Sequence, residues 1–176
     1  MGGFMDQGGK EINVKSIKDE IMENVKSWHQ KLCDNKGACA RLRRCESPEK
    51  VMMQRETHIL LDKLPGFISP EAVATISGIL SHVKVGGEGK LGERLGIKKN
   101  DKVLFSETRF RNLLACKEWN EFYTALRRAV VVLDGNVAPE SIIDVVRLWD
   151  EDKKGNLKEP TRKLSFILSR EYYSKN

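Results

Sequence analysis

The sequence predicts an all-α protein of about eight helices packed as two small helical bundles. Three observations carry this. Apolar residues recur with the 3.6-residue period of a helix, serine and Ser-Pro signals stand where helices should begin, and no segment sustains the period-2 alternation of a half-buried strand.

Taken in order, residues 1–15 are glycine-rich and polar, a composition expected of a flexible N-terminal extension. In "SIKDEIMENVKSWHQKLC", Ser16 stands at an N-cap position and Asp19 at the capping-box position. Ile17, Ile21, Val25, Trp28 and Leu32 form the apolar face. A short helix is expected around "ACARLRR". "SPEK" then places Ser47 at an N-cap and Pro48 at N1 of a helix running toward "LPG" at 64–66, and "SPEA" at 69–72 starts another through His82. These elements make an N-terminal helical half, 16–84.

"VGGEGKLGERLGIKKNDK" breaks the periodicity with five glycines and several lysines. It reads as a basic connecting loop, 85–105, carrying about one turn of helix. The C-terminal half, 106–176, opens with Ser106 capping "ETRFRNLLAC". A helix from Glu118 to Leu133 follows and stops at Gly135 as a C′ residue. "APESIIDVVRLW" has Pro139 at N1, and "EPTRKLSFILSREYY" forms a closing basic amphipathic helix.

The chain of 176 residues is long enough to bury a real core, and 40% apolar with 32% charged residues is the balance of a globular protein. The start "MGGFMDQGGKEINVK" lacks the apolar region of a signal peptide, and the longest apolar run, "AVVVL", is too short to cross a bilayer. A cytoplasmic protein with no membrane partner is expected. Cys33, Cys39, Cys45 and Cys116 contain no C-x-x-C pair and read as small hydrophobes.

Several motifs approach known chemistry and miss it. "GEGKLG" matches G-x-G-x-x-G, but a helix rather than a strand precedes it, so the close backbone approach to a pyrophosphate lacks its βαβ frame. "DEDKKGNLKEPT" has the acids and Gly155 of a calcium loop, yet Lys154 and Thr161 occupy ligand positions. His29 and Cys33 lie one turn apart, while Cys39 and Cys45 are spaced unlike a structural zinc site. No acid–base pair or nucleophile constellation emerges, and His58 and His82 are isolated. No enzyme, metal or cofactor is expected.

The net charge of +6 is too modest to name a polyanion by itself. Arginine placement says more: Arg41, Arg43 and Arg44 cluster in the first half, Arg109, Arg111, Arg127 and Arg128 in the second, with Arg94 in the loop between. In "NEFYTALRRAVVVLDG" the stripe Phe122, Leu126, Ala129, Val130 and Leu133 faces a core, and Arg127 and Arg128 lie about 100° and 200° from it. Arginine suits phosphate because its planar fork donates two parallel hydrogen bonds and keeps its charge. The competing expectation is pairing with Glu46, Glu107 or Glu121 on solvated helix faces.

Taken together, "SWHQKL", "GACARLRR", "KLGERLG", "SETRFRNLLACKEWNEFYTALRRAVVVLDG", "IIDVVRLW" and the closing "REYY" resemble the CasB family, the small subunit of the type I-E CRISPR Cascade effector. The resemblance runs from about Trp28 to Tyr173. It implies an all-helical, non-catalytic subunit that assembles with the other Cascade subunits and with a second copy of itself. It also implies contact with the crRNA–DNA heteroduplex and with the backbone of the displaced single-stranded DNA, so that the R-loop stays open in antiviral defence. Matched by position, Arg43, Arg44, Arg94, Arg109, Arg127 and Arg128 become the expected nucleic-acid-binding residues, with Arg41, Arg111, Lys90, Lys98 and Lys99 as secondary ones. Few aromatics accompany them, and Trp28, Trp119 and Trp149 are expected in helix packing rather than base stacking. The alternative is a helical protein–protein scaffold whose basic face binds an acidic partner.

Overall fold

Capping chemistry sets where several helices begin. The computed structural model describes residues 14–64, 66 and 68–175. Ser47, Ser69 and Ser106 each stand at an N-cap, and their hydroxyls accept from the backbone N–H of Lys50, Ala72 and Arg109, as the sequence predicts. Each such cap is worth about 1 kcal/mol. Among the described residues the chain forms ten α-helices and one two-stranded hairpin, an all-α fold.

The first helix, α1 (Val14–Asp34), begins before Ser16, so that serine lies within the helix rather than at its N-cap. A serine costs a helix interior only about half a kcal/mol, too little to stop it. Val14 and Lys15 belong to α1, and the rest of the expected N-terminal extension lies outside the described residues. Asn35 caps α2 (Lys36–Arg44). The helix expected from Pro48 toward residue 64 is two, α3 (Pro48–Met52) and α4 (Arg55–Leu61), because Gln54 is extended between them. The Thr57 hydroxyl donates to the Val51 carbonyl at 2.8 Å across the break. Next come α5 (Pro70–Leu80) and, inside the glycine-rich stretch, the single turn α6 (Leu91–Leu95).

The hairpin, β1 (Lys98–Lys99) with β2 (Lys102–Val103), is antiparallel, with Lys98 opposite Val103 and Lys99 opposite Lys102. Asn100 and Asp101 form its turn with φ of 52° and 62°, the left-handed pair that such tight turns require. Strands of two residues carry no readable alternation, which is why periodicity gives no sign of them. The chain continues through α7 (Glu107–Ala115), α8 (Trp119–Val132) and α9 (Pro139–Lys153). A 3-10 turn over Pro160–Arg162 leads into α10 (Leu164–Tyr173).

Helix α5 is buried along almost its whole length and packs against α3 and α4 as well as α8 and α9. Buried residues of both halves of the chain form one cluster. Gly78 permits a close approach of α5 to α8, since a Cβ there would fall 2.5 Å from the Tyr123 hydroxyl. Phe122 stacks on Trp149 with ring centroids 4.5 Å apart, Trp119 meets Trp149 edge-on, and the Trp28 indole donates to the Glu56 carbonyl at 2.9 Å. All three tryptophans are packing residues. Helix α8 stops one residue earlier than a C′ glycine at 135 would place it: Leu133 is the C-cap, Asp134 takes the left-handed C′ position with φ of 52° and donates to Val131 at 3.0 Å, and Gly135, φ 69°, follows as C″ and donates to Val130 at 3.0 Å.

The acidic stretch from Asp150 is not a cation loop. Asp150 lies within α9, buried, and accepts from the Ser69 hydroxyl at 2.8 Å and from the Ser69 N–H at 3.3 Å. It thereby ties the end of α9 to the start of α5.

Candidate nucleic-acid interface

The stripe on α8 folds as its period requires: Phe122, Leu126, Ala129 and Val130 are fully buried. The two arginines beside it then separate. Arg127 turns back to the protein, donating from Nη2 to the Arg43 carbonyl at 2.8 Å and from Nη1 to the Cys45 carbonyl at 3.4 Å. Those acceptors sit at the C-terminal end of α2, where carbonyls lack intrahelical donors and the helix dipole favours a cation. The Tyr123 hydroxyl joins them, donating to Cys45 at 3.0 Å. Arg128 is exposed and has no ion pair or hydrogen bond among the described residues.

The pair at 43 and 44 divides the same way. Arg43 donates from Nε to the Ser81 carbonyl at 2.5 Å, while Arg44 is exposed without a partner among the described residues. Adjacent helical residues diverge by about 100°, so one of each pair reaches the neighbouring helix and the other reaches water. The tethering contacts are to backbone carbonyls rather than to acids.

Between α7 and α8 lies a groove of about 780 Å³, lined by Arg109, Asn112, Thr124, Arg127, Arg128 and Val131 among others. Arg109 is exposed on α7, and its guanidinium has no partner among the described residues. Asn112, one turn after Arg109, and Thr124, one turn before Arg128, add hydrogen-bonding groups. Helical spacing from those arginines points to both, though arginine counting passes over them. Glu46 also lines the groove, but its carboxylate is held by Lys50 at 2.9 Å. His82 lies close to Arg127 and Arg43. Burial, then those two cations, pushes its imidazole down to about 4, and its Nε2 is buried without a partner among the described residues.

The remaining expected contacts are distributed differently. Arg41 pairs with Glu56 at 2.7 Å and Arg111 with Glu107 at 2.6 Å, the latter being one of the acids expected to compete. Glu121, another such acid, instead accepts from the N–H groups of Lys117 and Glu118 as part of a capping box. Lys90 faces Glu171 at 3.5 Å, and Arg94 donates to the Asn136 carbonyl at 3.1 Å. Lys98 and Lys99 are exposed on the hairpin with no partner among the described residues, and Lys102 joins them across the turn. The groove thus gathers Arg109, Arg127 and Arg128. Lys98 and Lys99 form a separate cationic tip, and Phe105, just beyond the hairpin, lines the groove.

Among the described residues no group of three His, Cys, Asp or Glu side chains is placed to hold a metal ion. His29 and Cys33 meet at 3.4 Å, but the histidine is buried against the Val83 carbonyl. Among the described residues no helix is long and apolar enough to cross a membrane.

A family model described as CRISPR-associated protein Cse2 matches residues 38–173, a span that contains every arginine and lysine named for the interface. No curated protein and no solved structure matches the chain.

Proposed function

The chain belongs to the CasB/Cse2 family of the type I-E CRISPR Cascade, and we propose that it serves there as a non-catalytic subunit whose α7–α8 groove tracks a nucleic-acid backbone. As a Cascade subunit it works with the other subunits of that complex. In the proposed role it acts in the cytoplasm in antiviral defence, where it steadies the guide–target duplex and the displaced DNA strand together with a second copy of itself.

One observation carries the reading: Arg109 and Arg128 project beside a groove without an acid to neutralise them. The mount of Arg128 is fixed, because Arg127 and Tyr123 lock α8 to the end of α2, and α7, which carries Arg109, packs through buried Phe110 and Leu113. Unneutralised guanidinium groups on fixed helices suit phosphate oxygens, and the groove offers no exposed aromatic for reading bases. Exchange of one duplex for another is nearly balanced in free energy, so a few sequence-independent backbone contacts suffice to hold a displaced strand.

The test is a fluorescence-anisotropy titration of two unrelated labelled single strands with the wild type and an Arg109→Ala/Arg128→Ala variant, alongside displaced-strand lifetimes in reconstituted Cascade. Equal binding of both strands, steep weakening with salt, and a shorter lifetime in the variant are expected. An unchanged lifetime would leave the basic face to an acidic protein partner instead.

A further inference from the structure

At the opposite end of α2 from the Arg127 contacts, a second and smaller concavity of about 240 Å³ opens between α1, α2 and α4. Trp28, Lys31, Arg55, Glu56, Ile59 and Lys63 line it. Three properties set it apart. Lys31, Arg55 and Lys63 are exposed, and none of their side-chain cations has a partner among the described residues. Asp34, exposed on α1, accepts from Gln30 at 3.4 Å rather than from any of the three. Glu56 gives one carboxylate oxygen to Arg41, while its Oε2 is buried with no hydrogen-bond partner among the described residues. Beside these charges the wall is apolar, with Trp28 and Leu32 buried and Ile59 40% exposed.

We propose that this concavity is a protein-docking site for an acidic segment of a neighbouring Cascade subunit. Carboxylates of the segment meet Lys31, Arg55 and Lys63, and an apolar side chain rests against Ile59 and Trp28. A phosphate backbone fits the same cations less well. It would place its anions beside the Glu56 carboxylate and leave the exposed Ile59 wall uncovered. The volume is also below the roughly 300–1,000 Å³ of small-molecule sites, as expected of a pocket for one or two side chains. Nine helical residues span about 13 Å, so the two surfaces lie a helix length apart along α2. The docking site does not depend on the groove's reading.

The deciding experiment treats assembled Cascade with a carbodiimide, which joins a lysine amine to a carboxylate as an amide and leaves as the corresponding urea, and maps the joined peptides by mass spectrometry. Lys31 or Lys63 joined to an Asp or Glu of another subunit is the expected product. In parallel, a Lys31→Glu/Arg55→Glu/Lys63→Glu chain, its fold verified by circular dichroism, should lose at least about tenfold in affinity for the remaining subunits and keep its affinity for single-stranded DNA. Absence of such cross-links, undiminished assembly, or a parallel loss of DNA affinity would overturn the proposal, the last by making this face a second phosphate contact. Failure of the Arg109/Arg128 test leaves the cross-linking and assembly outcomes readable.

Discussion

Arg127 Nη2 donates to the carbonyl oxygen of Arg43 at 2.8 Å, joining two residues that are 84 positions apart and that the family resemblance alone groups as expected phosphate contacts. The contact gives them different work from their neighbours. Arg127→Ala should strip the Arg43 carbonyl of its donor, leaving Cys45 only Tyr123, and lower stability by about 1.5–3 kcal/mol, the range for hydrogen bonds to charged groups. Arg128→Ala should change stability by less than about 0.5 kcal/mol. Urea denaturation of both variants checks this, and equal midpoints would refute the division of labour.

The unpaired arginines have a signature in salt. Removing one phosphate-binding cation from a single-strand complex lowers the slope of log affinity against log salt by about 0.7. Arg109→Ala and Arg128→Ala should each flatten the slope by that amount. Arg111→Ala, which removes a side chain already paired with Glu107, should flatten it less. Anisotropy titrations across several salt concentrations decide, and three identical slopes would count against the groove.

His82 makes stability depend on acid. Its folded value of about 4 lies below the ordinary 6.5 because burial, then Arg127 and Arg43, disfavour the imidazolium. Between pH 6.5 and 4 the unfolded chain therefore binds more protons than the folded one. The stability that His82 contributes is complete above pH 6.5 and is lost as pH falls toward 4. His29, lowered mainly by burial, acts in the same direction. His82→Gln should consequently show a smaller fall in Tm between pH 7 and pH 4.5 than the wild type, with His29 accounting for part of what remains. An identical fall would assign the acid sensitivity elsewhere.

Gly78 tests the α5–α8 contact. Alanine gains about 1 kcal/mol of helix propensity, yet its Cβ would meet a Tyr123 ring that Cys45 holds by its hydroxyl. Overpacking of this kind costs about 1–3 kcal/mol. Gly78→Ala should therefore be net destabilising in chemical denaturation, and a raised midpoint would show that the ring yields freely.

Asp150→Ala removes the acceptor for both the Ser69 hydroxyl and the Ser69 N–H. It also leaves Lys154, 2.7 Å from the Asp150 carboxylate, without that partner. A loss of about 1.5–3 kcal/mol is expected, the range for hydrogen bonds to a charged group, since Asp150 is buried while Lys154 is exposed. Calcium should leave the Tm of the wild type unchanged, since Asp150 is engaged within the fold. A rise in Tm with calcium would revive the cation-loop reading.

The helical class, the serine caps at 47, 69 and 106, the end of α8 to within a residue of the expected Gly135 stop and the apolar stripe of α8 were determined by the sequence itself, because each depends on residues within one or two turns of one another. The motifs that resemble the CasB family likewise follow from local order and spacing. The tertiary structure decided what local spacing cannot: which arginine of each adjacent pair is tethered, which of Glu46, Glu107 and Glu121 meets an arginine, and that Asp150 caps α5 from the end of α9. It also brought Arg109 and Arg128 to one groove and Lys31, Arg55 and Lys63 to one concavity. The reason is physical. A helix period states the direction in which a side chain leaves its own axis, but the carbonyl, carboxylate or open water it meets there belongs to a segment tens of residues away, and only packing brings the two together.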